Sequence, residues 1–412
     1  MTERRVVVTG AGIICAIGVG REASWQAMLA GTSGITMTTL VDASDLASKV
    51  SGQVPEFDLS TYLDRKEARR MDRFTHLAIM AAGEALEQAK LPLDQIADTT
   101  GCMIGSGIGG IETLEQEFDT FFHKGPSRVS PFLVPMFIPD MAAGQVSIRF
   151  GLRGPNFNPV SACASGADAL GTAFEIIRRG DADAMVAGGA EAAVNRMSIA
   201  AFAASRALSR NDDPLTASRP FDLNRDGFVL GEGAGILVLE EREQAIARGA
   251  TILCEMVGYG QSADAFHVTQ PSENGEGAAR AMNIALKKAG IAASEIDYLN
   301  AHGTSTPLND KFETLSVKTV FGESAARLPI SSTKSMIGHT LGAAGGIESA
   351  ATVLSIRDQK IHPTIHIVTP DPDCDLDYVP EGPRDLAIRY AMSNSLGFGG
   401  HNSSLIFKRH ED

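Results

Sequence analysis

An α/β fold is what this sequence predicts, and three observations carry that expectation. Short runs of β-branched and apolar residues alternate with alanine-rich stretches of helical spacing, as strands layered with helices do. The rhythm restarts near residue 251, so the chain divides into an amino-terminal half, 1–250, and a carboxy-terminal half, 251–412. With 412 residues, 44% of them hydrophobic, a sizeable core can form. No low-complexity linker separates the halves, and one compact body is expected.

Taken in order, residues 6–9 (Val-Val-Val-Thr) read as a strand, 25–29 and 74–86 as helices and 102–104 as a strand. Residues 168–179 space their apolar side chains for a largely buried helix. A Gly180-Asp-Ala-Asp183 stop and a strand over 184–189 follow. The second half offers strands at 252–257 and 296–299, and helices near 277–288, 310–320 and 341–356.

Immediately before the 168–179 helix lies Pro159-Val-Ser-Ala-Cys-Ala-Ser-Gly166. A turn of small residues there presents the Cys163 thiol at a helix start, whose partly positive end favours the thiolate that attacks acyl groups. A lone cysteine beside alanines is more often an inert small hydrophobe. Two histidines change that balance. Tyr298-Leu-Asn-Ala-His302-Gly-Thr-Ser-Thr306 and Ser331-Ser-Thr-Lys334-Ser-Met-Ile-Gly-His339 each set an imidazole in a glycine- and hydroxyl-rich turn after a short apolar strand. One cysteine and two such histidines form a candidate site for acyl chemistry.

Several motifs in one order now carry a resemblance: Val6-Val-Val-Thr-Gly10, Gly105-Ser-Gly-Ile-Gly-Gly110, the Cys163 turn, Ser218-Arg-Pro-Phe-Asp222, Asp226-Gly-Phe-Val-Leu-Gly-Glu-Gly-Ala-Gly235, both histidine segments and Asn394-Ser-Leu-Gly-Phe-Gly-Gly400. Over residues 4 to 408 the chain resembles the 3-oxoacyl-acyl-carrier-protein synthases, the elongating condensing enzymes of dissociated fatty-acid synthesis, most closely the type II branch. The resemblance implies the thiolase fold, two related βαβαβαββ halves in an α/β/α/β/α body. It also implies a homodimer that needs no organic cofactor. The implied reaction is a decarboxylating Claisen condensation of an acyl group held on Cys163 with malonyl-acyl carrier protein, with a ketosynthase of a specialised polyketide-like pathway as the alternative.

Roles follow from the resemblance position by position. Cys163 receives the acyl chain, and His302, in an acid/base and oxyanion-supporting role, acts with His339 on the enolate oxygen left by loss of carbon dioxide. Lys334 holds the hydrogen-bond network of the site, with Glu313 as its restraining partner. Phe398 is the gate over the cysteine and shares a backbone oxyanion hole with it. Thr304 and Thr306 hold the phosphopantetheine arm, and Ile108 lines the acyl tunnel. Asn300, Glu348, Ser393 and Asn394 match a monovalent-cation site of some relatives. Leu396, where many relatives place a second phenylalanine, and His401, where others carry threonine, are departures at the gate.

The net charge of −14 (36 basic against 50 acidic residues) ill suits an acidic carrier-protein partner, so local charge must serve. Arg65, Lys66, Arg69 and Arg70 form a basic cluster, and by resemblance they join Lys124, Arg128 and Arg206 in a patch that steers the carrier. A basic patch on an acidic body argues against broad nucleic-acid binding. The start Met1-Thr-Glu-Arg-Arg5 lacks the apolar core of a signal peptide, no apolar run reaches membrane-spanning length, and five scattered cysteines suit a reduced, cytoplasmic setting. Three rivals are weaker. A degradative thiolase needs a second cysteine as base, and Cys374 sits in an acidic loop instead. A non-catalytic chain-length partner lacks the nucleophile. The glycine motifs at 6–12 and 105–110 are incomplete as nucleotide-binding fingerprints.

Overall fold

The computed structural model describes residues 4–411; the start of the segment read for a signal peptide, residues 1–3, and residue 412 lie outside the described residues. Strand β1 (Val6–Cys15) extends the β-branched run to ten residues, all buried, because it runs mid-sheet between covering helices. With β2 (Thr100–Gly105), β3 (Asn156–Phe157), β4 (Ala184–Glu191) and β5 (Gly233–Glu241) it forms the array β3-β2-β4-β5-β1. Strands β6 (Cys254–Ala263), β7 (Tyr298–Asn300), β8 (Ile330–Ser331), β9 (Tyr390–Gly397) and β10 (His401–Lys408) form the array β8-β7-β9-β10-β6.

Each array therefore places its own strands in the order third, second, fourth, fifth, first. The first two ladders of each are parallel and the last two antiparallel. Three antiparallel pairs between β1 and β6, from Val6 opposite Met256 to Val8 opposite Cys254, join the arrays into one eleven-stranded sheet. The eleventh strand is Gly18–Val19, paired to β1.

Helix α1 (Arg73–Ala89) covers β1, β4 and β5 from outside, through an apolar face that includes Phe74, Leu77 and Ala81. Helices α2 (Ser165–Arg179) and α5 (Ala344–Asp358) touch each other and strands of both arrays, while α3 (Glu276–Ala289) covers β6 and β10 and packs on α4 (Pro307–Phe321). The result is the α/β/α/β/α thiolase layering. Residues 344–356 of α5, a middle helix, are all buried. Their approach is too close for side chains: a Cβ on Gly166 would lie 2.8 Å from both the Gly342 oxygen and the Gly346 nitrogen. One on Gly345 would lie 2.5 Å from the Ala167 nitrogen.

The repeat reaches single residues. Ala162, with φ 51°, opens a 3-10 turn over Ala162–Ala164 that leads into the 15 residues of α2. Leu341, with φ 50°, opens the turn Leu341–Ala343 into the 15 residues of α5. Gly342 thus stands in the second half where Cys163 stands in the first.

Sequence patterning finds most of the apolar elements but not β3, β5, β9 or β10. Buried β9 carries Ser393, Asn394 and Ser395, which read as loop residues because their partner, such as the Ser404 hydroxyl that donates to Asn394 at 2.7 Å, comes from the adjacent strand. Among the described residues no helix is long and apolar enough to cross a membrane.

Candidate active site

Cys163 sits in a turn pinned from both sides. The Ser161 amide donates to Ser165 Oγ at 3.0 Å, Ser165 Oγ donates to the Ala162 carbonyl at 2.7 Å, and Ser161 Oγ donates to Asp168 at 2.5 Å. These bonds hold Ala162 in its left-handed conformation. The residue is 9% exposed. Burial pushes the thiol up to about 11, against the pull of the Lys334 charge and of the Phe398 and Cys163 amides, with the Glu191 carboxylate adding a smaller upward push. Sequence reasoning weighs only the helix end, which favours the anion. In the fold burial dominates, so the resting sulfur is a thiol at neutral pH.

His302 leaves the end of β7 in a turn whose amides are fixed by Glu313 of α4: His302 N–H and Gly303 N–H each donate to its carboxylate at 2.8 Å. Lys334 reaches under the ring, donating to the His302 carbonyl at 2.6 Å and to His302 Nδ1 at 3.3 Å, and pairs with Glu348. His339 Nδ1 accepts the Leu341 amide at 3.3 Å. Both histidines are 2% exposed. Burial, then the Lys334 charge, hold both well below the usual imidazole range. Two neutral imidazoles with Nδ1 occupied as acceptor must carry their protons on Nε2. Their rings meet edge to face, centroids 5.2 Å apart.

One cleft of about 360 Å³ is lined by Cys163, His302, His339, Phe398, Thr304 and Thr306, with Arg206 on its wall. Thr304 and Thr306 pair their hydroxyls at 2.9 Å. Phe398 is half-buried, and its amide faces the sulfur beside that of Cys163. Ile108, partly buried, lies outside this cleft and packs against the buried apolar cluster that includes Cys163, Phe228 and Leu341. Leu396 lines the cleft, whereas His401 is exposed.

One reading is corrected. Glu313 neither lines the cleft nor pairs with Lys334; it anchors backbone amides, and the lysine's carboxylate partner is Glu348. Of the four cation-site residues, Asn300 stands beside Ser393 in the ladder, and its Oδ1 together with Glu348 Oε2 is buried without a hydrogen-bond partner. The Asn394 side chain is occupied by Ser404 and Met282. Lys66, Arg69, Arg70, Arg128 and Arg206 are exposed, and none forms a salt bridge with another described residue. Sequence reasoning missed Glu191, whose signal was a single charge inside the small-residue run Gly188-Gly-Ala-Glu-Ala-Ala193.

Residues 3–245 match the family model for the amino-terminal domain of beta-ketoacyl synthases, and residues 253–368 match that for the carboxy-terminal domain. The chain belongs to the beta-ketoacyl synthase family. Within it, a 3-oxoacyl-[acyl-carrier-protein] synthase 2 from Staphylococcus aureus is 56% identical over 410 residues, covering 99% of each chain. A protein of the same name from Synechocystis is 52% identical over 413 residues, 100% of this chain and 99% of the relative. Among solved structures, a beta-ketoacyl synthase from Burkholderia phymatum superposes with a TM-score of 0.92 at 38% identity, over 99% of this chain and 100% of the other. A type II polyketide ketosynthase solved with its acyl-carrier protein and a hexaketide gives 0.92 at 37%, with the same coverage. Like these family members, the present beta-ketoacyl synthase is an acyl-transferring enzyme of the thiolase fold.

Proposed function

We propose that this beta-ketoacyl synthase lengthens acyl chains on acyl carrier protein by decarboxylating Claisen condensation, in fatty-acid elongation. The Cys163 thiol attacks the acyl thioester while its proton passes to the departing phosphopantetheine sulfur, leaving the acyl group on Cys163. The amides of Cys163 and Phe398 receive the oxyanion. Phe398 closes the cleft until then, and Thr304 and Thr306 hold the phosphopantetheine arm.

Malonyl-carrier protein follows. The two Nε2–H groups donate to its thioester oxygen, so loss of carbon dioxide leaves an enolate they stabilise by about 3 kcal/mol each, the scale of an oxyanion-hole donor. The enolate carbon attacks the Cys163 thioester, and the expelled sulfur regains a proton from solvent. Products are 3-oxoacyl-carrier protein and carbon dioxide. The observation that carries this reading is one thiol sharing a cleft with two imidazoles, each held by its Nδ1 partner as an Nε2–H donor.

Other features support finer points. The doubled strand order supports two thiolase-like units, 1–250 and 251–412. Exposed Phe118, Phe121 and Phe122 and the open edge at β3 support a homodimer. Five free cysteines fit a reducing cytoplasm. The unpartnered oxygens of Asn300 and Glu348 fit a monovalent cation held with Ser393, which would offset carboxylate charge near Lys334.

Incubation with an acyl-carrier-protein thioester should add the acyl mass to the Cys163 peptide alone. His302→Ala and His339→Ala should each slow carbon dioxide release from labelled malonyl-carrier protein by about 10²–10³. Labelling elsewhere, or undiminished release in both variants, would overturn the reading.

A further inference from the structure

Arg225 lies between the motifs Ser218–Asp222 and Asp226–Gly235, behind the cleft and not among the residues that line it. Its side chain is 4% exposed and stands 2.5 Å from Asp371 and 3.5 Å from Asp310. These two carboxylates offset the cost of burying its charge. The guanidinium also donates to three backbone carbonyls: Nε to Thr306 at 3.1 Å, Nη2 to Pro307 at 2.9 Å and Nη1 to Asp222 at 2.8 Å. Thr306 and Pro307 close the turn that carries the two cleft hydroxyls.

That turn is held from outside at every residue. Ser305, between the two threonines, is fully buried with φ 72°, a left-handed conformation that a non-glycine residue keeps only where its surroundings fix it. The segment around Arg225 does so: the Arg219 amide donates to Ser305 Oγ at 3.0 Å and the Gly227 amide to the Ser305 carbonyl at 3.1 Å. Asp310 holds the Thr304 amide at 3.0 Å. The carbonyls of residues 305, 306 and 307 therefore all accept from groups that do not line the cleft. They face away from it, and the Thr304 and Thr306 side chains, hydroxyls paired at 2.9 Å, face it instead.

We infer that Arg225 is a positioning residue for recognition of the donor's amide-bearing arm: by gripping the carbonyls of Thr306 and Pro307 it turns the two threonine hydroxyls toward the amides of phosphopantetheine. The inference rests on the reading above in which those hydroxyls hold the arm. Lysine is no substitute, because its single ammonium lacks the planar fork that spans both carbonyls.

Two donors of one acyl group test this: an acyl-pantetheine, whose arm carries amides, and the acyl ethyl thioester, which carries none. Mass spectrometry of the Cys163 peptide gives the second-order acylation rate with each. Their ratio reads arm recognition and cancels changes at the sulfur. Arg225→Lys should lower the ratio about tenfold, the scale of one or two neutral hydrogen bonds. Asp371→Asn keeps its shape but removes charge that anchors the guanidinium, and should lower the ratio less, in the same direction. In a Thr304→Val/Thr306→Val background, Arg225→Lys should leave the ratio where the threonine changes put it. Equal losses with both donors, or a further fall in that background, would show a merely structural arginine. If Arg225→Lys does not fold, the Asp371→Asn ratio, alone and in that background, decides. A threonine variant with the wild-type ratio sinks the arm-holding reading and this inference with it. A lowered ratio there, beside an Arg225→Lys enzyme that keeps the wild-type ratio, sinks the inference alone.

Discussion

At the scale of the residue, the site sets opposing charges and burial against one sulfur. With the Cys163 thiol at about 11, the thiolate fraction at pH 7 is about 10⁻⁴. Alkylation of Cys163 by iodoacetamide should accordingly climb about tenfold per pH unit from pH 7 to 9, read by mass spectrometry of the Cys163 peptide. A plateau below pH 8 would mean that the helix end outweighs burial. Lys334 supplies the attraction that lowers the thiol, and its removal has a second consequence. Lys334→Ala leaves Glu348 buried and uncompensated, at a cost of about 3–5 kcal/mol. Adding Glu348→Ala should restore much of that stability in chemical denaturation. Decarboxylation should stay slow, because His302 Nδ1 still lacks its donor. Recovery of both together would assign the pair a purely structural role. The chemistry-bearing residues were legible because their types and turns are restrictive. Which carboxylate faces Lys334 was not: Glu313 on α4 and Glu348, 14 residues along the chain on α5, are equal candidates in sequence, and only the fold brings Glu348 to the lysine.

Elements position these residues by proximity rather than by loops. The Cys163 turn is rigid because α2 starts against α5 at glycine distance, so the crossing itself should be sensitive. Gly166→Ala places a methyl where backbone atoms stand 2.8 Å away and should destabilise by about 1–3 kcal/mol, the range for overpacking. Thermal unfolding measures this, and Cys163 acylation should fall with it because the turn precedes the shifted helix. A variant as stable as wild type would show that the helices separate freely. Sequence reasoning reached α2 and α5 through their apolar spacing, and β1 through its β-branched run. It could not see β9 or β10, since a strand buried on both faces yet rich in serine and asparagine is intelligible only with its neighbours in place. Nor could periodicity show that β1 and β6 share a ladder, because that seam is made by residues about 250 positions apart.

For the whole molecule, a body of net charge −14 stands against the acidic carrier protein proposed as its partner. Beyond a Debye length, about 8 Å at physiological salt, that summed charge is largely screened. Inside that distance the local field decides. Lys66, Arg69, Arg70, Arg128 and Arg206 are exposed and free of salt bridges with other described residues, so their charge is available to a partner. Arg206 opens directly onto the cleft. Reversing Arg206 and Arg70 to glutamate should raise KM for the acyl-carrier-protein donor by about tenfold or more at low ionic strength, mainly through slower association. The deficit should shrink as salt is raised to about 0.5 M, where screening removes steering from wild type and variant alike. Stopped-flow association and steady-state KM over a salt series check both halves of the expectation. A loss that does not change with salt would mean that these arginines act through packing, as the Arg70 guanidinium over the Phe132 ring at 4.7 Å shows one of them can.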